Sequence, residues 1–478
     1  MTLLIEAPPG HAPERRYILD VVLSDWLGLQ WRLVTHAGPD VRITLAGQEH
    51  GPAVIVPDVL LAIDESDRLT DAAVPTAPLA RLPVGALACG PLDPAQRLPV
   101  LAGRTGATCL AEAGANDVRL HVDVFGSAFA LLTRYEEVLP GPRDRYDRYP
   151  AGRSLAARED FLDIPLVDAY VELLWSALAR AWPRLRRRPR AYEVVLTHDV
   201  DDPLSTLGRG PALLARQFVG DVVWRRDAGL LARRARAVAD ARRGRHDRDP
   251  HATFDFLADM SEQHGLRSAF FFLAHNDIDP ALSLLDHPWV QRLVGHLHRR
   301  GHEVGLHAGF GTYRNPARTA AELRRLREIA ERAGVEQEVW GGRQHYLQWT
   351  NPQTWRNWDE AGLHYDCSLA FGEALGFRTG TCHPYRVFDL ERRRPLALVE
   401  RPFQVMDVTL FGHLGLTPDA ALAAVLAVAR QCRRFAGTLG ILWHNDEVLR
   451  TARQKRWYAD LLAAIVQPAG PPLVAIRA

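Results

Sequence analysis

The sequence predicts an α/β fold in which helices surround a parallel sheet or barrel, preceded by a smaller α/β domain. After residue 191, short apolar runs typical of strands alternate with stretches of helical periodicity such as 285–300 and 316–333. A basic, proline-containing run, RLRRRPR at 184–190, comes just before the first of these strands. Clusters rich in His and Asp follow several strands directly, where α/β folds place ligands and catalytic groups.

The segment before the basic run has apolar patterns of its own. Residues 43–47 and 53–63 are typical of strands, 118–138 of a strand and a helix, and 165–182 have the period of an amphipathic helix. We therefore place a boundary near 185–191. The prediction is an N-terminal α/β domain of unassigned role at 1–188 and a larger domain at 189–478. The charge-dense stretch 233–254 is expected to be an exposed helix or a flexible insertion.

Composition excludes several classes of protein. With 478 residues, 47% of them hydrophobic, the chain is long enough for two folded domains. A net charge of +1 gives no reason to expect nucleic acid or an anionic membrane as partner. The five cysteines have no CxxC spacing, so neither a disulfide framework nor a cysteine zinc site is expected. We see no signal peptide and no membrane span, and expect a cytoplasmic protein of undetermined oligomeric state.

The run VVLTHDVDD at 194–202 takes an apolar strand directly into a group of carboxylates. Asp199 and Asp201 are two residues apart, so an extended backbone points them to the same side. One carboxylate could bind a metal while the other accepts a proton. The alternative is a cluster that caps the N-terminus of a helix and is closed by Pro203, since Asp favours the N-cap and Pro the first turn.

Three further strand ends carry candidate residues. In GHEVGLH (301–307) His302 and His307 face opposite ways, and His307, where the strand opens into a loop, is the better metal ligand. In GGRQHY (341–346) Arg343 could pair with the aspartates and hold one of them ionised. In ILWHND (441–446) His444 could donate a proton to a leaving group. The alternatives are buried, hydrogen-bonded imidazoles and a structural salt bridge.

Taken in order, these motifs resemble those of the polysaccharide deacetylase superfamily, the carbohydrate esterases with a NodB-like domain. The similarity covers about 192–450 and includes THDVD, GHEVGLH, RQHY, YDCSLAF (365–371) and ILWHND. The longer pattern resembles a bacterial branch with an additional N-terminal domain, to which FGSAFALLTRYEE is similar. The resemblance implies a NodB-like distorted (β/α) barrel in the second domain.

The resemblance also implies roles for the residues of the motifs. Asp199 corresponds to the catalytic base, Asp201 and His307 to metal ligands, Arg343 to the residue that orients the base, and His444 to the general acid. The fourth motif implies a substrate groove. The substrate-binding residues expected there and nearby are Tyr346, Asp366, Ser368 and, in the Gly-rich loop 371–385, Arg378.

One position departs from the family pattern. The second motif normally has another His four residues after the first, and here that position is Gly311. The third ligand must then come from elsewhere or the metal has been lost. His345, near the same strand end, is the best substitute, and His198 and Asp202 are the others.

The predicted function is that of a metal-dependent hydrolase, with zinc as the expected divalent metal. It would remove an acetyl or other acyl group from the amide nitrogen of a sugar or polysaccharide precursor, lipid-linked or nucleotide-linked if the protein is cytoplasmic. Two alternatives stay open. A degenerate domain could bind glycan without catalysis, which Gly311 favours, or the same residues could hydrolyse a non-sugar amide. Asp199, Arg343 and His444 together favour an enzyme, because a binding protein needs no acid–base pair.

Overall fold

The computed structural model of the protein describes residues 1–87, 89–206, 214–216, 218–219, 228–275, 285–446, 449 and 451–467. The strands in these ranges are β1 (Thr2–Ala7), β2 (Gln30–Thr35), β3 (Asp40–Leu45), β4 (Ala53–Pro57), β5 (Arg81–Pro83), β6 (Arg97–Pro99), β7 (Ala111–Ala113), β8 (Asp117–Leu120), β9 (Glu193–Val200), β10 (Ser268–Leu273), β11 (Glu303–Ala308), β12 (Gly341–Gln344), β13 (Tyr365–Asp366), β14 (Tyr385–Asp389), β15 (Arg394–Glu400), β16 (Val405–Met406) and β17 (Thr438–Leu442).

The α-helices in the same ranges are α1 (Ala12–Leu19), α2 (Val124–Leu132), α3 (Leu155–Arg158), α4 (Leu166–Ala181), α5 (Ala228–Ala241), α6 (Phe254–Gln263), α7 (Pro288–Arg299), α8 (Pro316–Arg332), α9 (Gln353–Ala361), α10 (Pro418–Arg434) and α11 (Ala452–Val466). Several begin as their sequences predict, for example α8, where the Asn315 side chain accepts from the amide of Arg318 and Pro316 opens the first turn. None of these helices combines the length and the apolar character that a membrane crossing requires.

The first part of the chain forms a six-stranded sheet with the order β2-β1-β3-β4-β8-β7. Its strand β1 alternates between half-buried and buried residues, as expected for a strand with one face on a core. Helices α2 and α4 pack together, and α4 also contacts β4 and β8. All strands of this sheet lie within residues 2–120, and the domain boundary at 188 stays a prediction.

A nine-stranded sheet with the order β14-β15-β13-β12-β11-β10-β9-β17-β16 uses residues 193–442. All its neighbours pair in parallel except β14 and β15, which are antiparallel. The predicted alternation of strands and helices is therefore confirmed. The sheet curls as a half-barrel, and its edge strands β14 and β16 do not pair with each other within the described ranges, so the barrel is open.

The strand register brings the predicted polar residues to one edge of this sheet. Asp199 is paired with Phe271 on β10, and two residues further along β10 Leu273 is paired with His307, which in turn is paired with Arg343. Strands β11 and β12 approach closely because Gly342 has no side chain: a Cβ there would lie 1.8 Å from the carbonyl oxygen of Leu306. The carboxyl ends of β9, β11, β12 and β17 consequently face the same space.

The two sheets share one continuous hydrophobic core. The Trp26 indole donates to the carbonyl of Pro384 at 3.0 Å, and the Tyr17 hydroxyl donates to the carbonyl of Arg386 at 2.7 Å. These contacts fix the first part of the chain against β14 and the segment before it. Residues from both parts can therefore contribute to one site.

Candidate active site

A cavity of about 370 Å³ lies at the carboxyl ends of the parallel strands. The sequence-predicted residues among its lining side chains come from four different strand ends. They are Asp199, Asp201, His307, His345, Tyr346 and His444. The other lining residues are Arg145, Tyr146, Arg148, Leu347, Met406, Val408, Gly412, His413 and Leu442.

Asp199, on β9, is held by Arg343, on β12. The Arg343 Nη1 donates to Asp199 Oδ1 at 2.6 Å, and both side chains are buried. The remaining guanidinium nitrogens donate to Thr197 Oγ1 at 2.9 Å and to the carbonyl of Cys367 at 2.7 Å. All three nitrogens of the Arg343 guanidinium therefore have hydrogen-bond partners. The second oxygen of Asp199, Oδ2, lies 3.7 Å from Nε2 of His307.

Asp201, His307 and His345 form a compact group of side chains that could hold a metal ion, called the metal-binding group below. Each offers one ligand atom, and these atoms all lie within 4.8 Å of one another. His307 Nε2 lies 2.9 Å and His345 Nε2 3.8 Å from Asp201 Oδ1. One carboxylate and two imidazoles are a donor set suited to zinc, which in catalytic sites takes three protein ligands and keeps one position open.

The surroundings of these atoms fit a cation. His307 Nδ1 donates to the carbonyl of Arg343 at 3.0 Å, so a neutral His307 ring would turn the lone pair of Nε2 toward the Asp201 carboxylate. Two lone pairs 2.9 Å apart repel unless a proton or a metal ion lies between them. Asp201 Oδ1 is also buried and, within the described residues, accepts no hydrogen bond of good geometry. The carbonyl partner on Nδ1 is the arrangement that orients histidine ligands in metal sites.

Electrostatics keep Asp201 ionised. Burial acts to raise the pKa of Asp201, but His345 and His307 more than offset this and hold the pKa well below its usual range. Burial lowers the pKa of His345 to about 4, so its charged form stabilises the Asp201 carboxylate mainly in the acid range. For His307, burial acts to lower the pKa, and the carboxylates of Asp199 and Asp201 raise it overall.

A turn with two left-handed residues directly follows His345. These residues, Tyr346 (φ 58°) and Leu347 (φ 57°), have backbone conformations that are costly for side chains other than glycine. Gly311, where the motif that GHEVGLH resembles has a second His, has φ 83°, and its amide donates to Gln348 Oε1 at 2.7 Å. A turn that favours glycine thus occupies that position, while His345 enters from the neighbouring strand.

His444 faces the same cavity from the end of β17. Its Nε2 is 3.9 Å from Asp201 Oδ2, and its Nδ1 bonds Asp407 Oδ1 at 2.7 Å. Asp407 Oδ2 also accepts from the His444 backbone amide at 2.8 Å, so both ring and backbone are fixed. Burial acts to lower the pKa of His444, but the Asp407 carboxylate raises it well above 6.5. The Asp407 carboxylate therefore favours the protonated form of His444, whose Nε2 lies on the cavity side of the ring.

The four predicted substrate-binding residues are not placed alike. Tyr346 lines the cavity, whereas Asp366, Ser368 and Arg378 are not among its lining residues. Asp366 accepts from Ser368 Oγ, which itself accepts from the amide of Gln344 at 2.9 Å, so this pair supports strand β12. Burial raises the pKa of Asp366 to about 7.

Arg378 does not line the cavity, and its guanidinium is paired with other residues of the chain. Its Nε and Nη2 donate to the Glu137 carboxylate at 3.0 and 2.6 Å, and its Nη1 donates to the carbonyl of Ala370 at 2.8 Å. Both ionic side chains are buried. Arg378 joins the loop after β13 to the first part of the chain.

The two other ligand candidates lie outside the metal-binding group. The His198 ring contacts the carbonyl of Trp443 at 2.9 Å and Ser268 Oγ at 3.2 Å. Asp202 Oδ2 lies 3.2 Å from His251 Nδ1. His302 is structural as expected, since its Nδ1 accepts from the amide of Ser268 at 3.1 Å. Of the three substitutes for the missing ligand, only His345 joins Asp201 and His307.

Sequence reasoning missed part of the cavity wall. Arg145, Tyr146 and Arg148 come from the first part of the chain, more than 40 residues before β9. Asp407, which follows β16, is the partner of His444. Its place directly after an apolar strand is a signal in the sequence, whereas no comparable pattern marks Arg145, Tyr146 and Arg148.

Comparison with known proteins gives two findings. Residues 3–183 match a family model described as a family of unknown function, DUF7033. No curated protein is detectably similar in sequence.

Among solved structures, a protein from Mycobacterium smegmatis provisionally described as a polysaccharide deacetylase has a TM-score of 0.37 and 20% identity over 58% of this chain and 85% of its own. A mutant CE4 family pseudoenzyme has a TM-score of 0.30 and 11% identity over 58% of this chain and 63% of its own. The Xyl-CE4 domain of a multidomain xylanase from the hindgut metagenome of Trinervitermes trinervoides has a TM-score of 0.29 and 12% identity over 58% and 82%.

Proposed function

We propose that the protein is a metal-dependent hydrolase that removes an acyl group, most simply acetyl, from the amide nitrogen of a sugar. The observation that carries this proposal is the convergence of three parts on one cavity. These parts are a buried carboxylate held by an arginine (Asp199), a three-residue group of metal-binding atoms (Asp201, His307 and His345), and a protonated histidine (His444).

The chain's own residues would divide the reaction as follows. A divalent metal held by Asp201, His307 and His345, with zinc expected from the donor set, would polarise the amide carbonyl and make a water more acidic. Asp199 takes the proton of the attacking water, and Arg343 keeps its free oxygen oriented toward the cavity. His444 donates a proton to the amine as the carbon–nitrogen bond breaks, and Asp407 stabilises its charged form.

A sugar substrate is supported by the cavity's aromatic wall as well as by the sequence resemblance. Tyr346 stands beside His345, with ring centroids 4.3 Å apart, so a group bound over the metal-binding residues would also contact an aromatic ring. We expect a carbohydrate precursor, lipid-linked or nucleotide-linked, as the substrate. The non-sugar amide remains the alternative within the same chemistry.

The proposal is tested by acetate release from N-acetylglucosamine oligomers and from a nucleotide-linked N-acetylated sugar. The metal-loaded wild type should release acetate, and Asp199→Asn should lower kcat by roughly 10²–10⁴-fold because the base is lost. Asp64→Asn, a change of an exposed carboxyl that does not line the cavity, is the matched control and should keep full activity. Tight binding of these sugars with no acetate release would instead show a glycan-binding domain.

A further inference from the structure

The mouth of the cavity includes a loop from the first part of the chain that the proposed reaction does not use. This loop, residues 143–148, contributes three lining residues: Arg145, Tyr146 and Arg148. Within the described residues, none of them forms an ion pair or a hydrogen bond with Asp201, His307, His345 or His444, although all three line the same cavity.

The loop is firmly attached to the strained turn that carries His345. Arg148 Nη1 donates to the carbonyl of Tyr346 at 3.2 Å, and Gln348 Nε2 donates to the carbonyl of Tyr146 at 2.8 Å. Asp144 Oδ1 accepts from the amides of Tyr146 and Arg148, and its Oδ2 accepts from Arg148 Nε at 2.7 Å. Arg148 is therefore committed to structure, and the loop is a fixed part of the cavity wall.

Arg145 differs from Arg148 in the contacts of its guanidinium. Its guanidinium carbon lies 4.7 Å from the centroid of the Tyr146 ring, and that ring stacks on Tyr346 with centroids 4.6 Å apart and planes at 22°. Arg145 is exposed, and within the described chain no carboxylate pairs with it. The stack holds a charged group in place at the mouth while leaving its hydrogen-bond donors unused.

Charges along the cavity are distributed unevenly. The lining carboxylates are Asp199 and Asp201, and both lie at the base, where Arg343 and the imidazoles neutralise them. The other basic lining side chains are Arg145, Arg148 and His413, of which Arg145 and His413 are exposed and lie toward the mouth beside the phenols of Tyr146 and Tyr346. A substrate that reaches the base would therefore pass a mouth that favours negative charge.

We propose that Arg145 is a specificity-determining residue that pairs with an anionic group, a carboxylate or a phosphate, on the acylated sugar. Both groups present two oxygens to the planar guanidinium, which binds them through paired hydrogen bonds. This inference deepens the proposed function by naming the substrate class, an N-acylated sugar that carries a negative charge near the acyl group. It also gives the first part of the chain a role in substrate selection.

The test compares neutral and anionic sugars on wild type, Arg145→Glu, Arg145→Lys and Arg32→Glu. Arg32 is exposed on strand β2, does not line the cavity, and makes the same change of charge. The neutral probe is an N-acetylglucosamine trimer. The anionic probes are an oligosaccharide that alternates N-acetylglucosamine with glucuronate, and N-acetylglucosamine 1-phosphate, which separate the carboxylate from the phosphate source. Acetate release and equilibrium binding are measured on the same samples.

Wild type should favour at least one anionic probe over the neutral trimer by about tenfold or more in kcat/KM and in affinity. Arg145→Glu should abolish this preference by lowering kcat/KM and affinity for the anionic probe far more than for the neutral trimer, Arg145→Lys should keep part of the preference, and Arg32→Glu should keep all of it. Equal losses on neutral and anionic sugars, or an unchanged preference in Arg145→Glu, would overturn the inference.

Binding separates this inference from the proposed reaction. If no probe releases acetate but wild type binds an anionic sugar more tightly than the neutral one, and Arg145→Glu loses that difference, the reaction is wrong and the anion site stands. If acetate is released with no charge preference, the reaction stands and the anion site is wrong. If wild type binds no anionic probe, the inference also fails.

Discussion

Arg343 Nη1 and Asp199 Oδ1 lie 2.6 Å apart in a buried ion pair that joins β12 to β9. The guanidinium is fixed by Thr197 and by the carbonyl of Cys367, so its position does not depend on a substrate. The pair sets the direction of the carboxylate that we propose as the base. Because both side chains are buried, the same ion pair also contributes to the stability of the fold.

Replacing Arg343 with methionine should destabilise the protein strongly. The change leaves the Asp199 carboxylate buried without its partner, which costs about 3–5 kcal/mol in the free energy of unfolding. Urea unfolding at pH 7 measures this loss. The double variant Asp199→Asn/Arg343→Met should recover part of it, because the unpaired charge is then gone. A loss below about 1 kcal/mol in Arg343→Met would show that the pair is solvated and weak.

His345 should be required for metal binding, although its position falls outside the usual pattern of second-motif ligands. Purified wild type should hold about one zinc per chain, and His345→Ala, like His307→Ala, should hold far less because only two protein ligands remain. His198→Gln is the matched control, a change of a buried histidine on β9 that lies outside the metal-binding group, and this variant should keep its metal. Metal content by mass spectrometry decides the question, and full zinc in His345→Ala would exclude His345 as a ligand.

The pH dependence of activity should report the Asp407–His444 pair. Burial acts to lower the pKa of His444 and Asp407 raises it, so wild-type His444 stays protonated above the usual pKa of histidine. Asp407→Asn removes the raising contribution, and the alkaline fall in kcat/KM should move to lower pH by about one unit or more. His444→Gln should lack that limb altogether. An unchanged profile in Asp407→Asn would assign the alkaline limb to another group.

Sequence patterns predicted the strand–helix alternation and the ends of the strands well, because both depend on local periodicity and on the polarity of a few neighbouring residues. They also named His345 as a replacement ligand, since it follows the strand next to that of His307. The turn that places it depends on two left-handed residues, Tyr346 and Leu347, which no sequence pattern indicates.

Contacts between segments that are far apart in the chain could not be predicted from the sequence. Arg378 was expected to bind substrate because it lies in a glycine-rich loop, but Glu137, 241 residues earlier, occupies its guanidinium. Tyr146 reaches the cavity for a comparable reason: its partner Tyr346 is 200 positions away in the chain. A charged or aromatic residue in a loop gives no local sign of which remote side chain will meet it.

The left-handed pair at Tyr346 and Leu347 has a consequence for attempts to transplant this site. A histidine copied alone onto the equivalent strand of another open barrel would be followed by an ordinary extended backbone, because each left-handed residue costs about 1–2 kcal/mol. Its side chain would then point elsewhere. The recipient protein would also need residues 143–148, because their hydrogen bonds hold the turn at Tyr346 and Leu347 in place. Transfer of this site to another protein would therefore require both segments of chain, and not His345 alone.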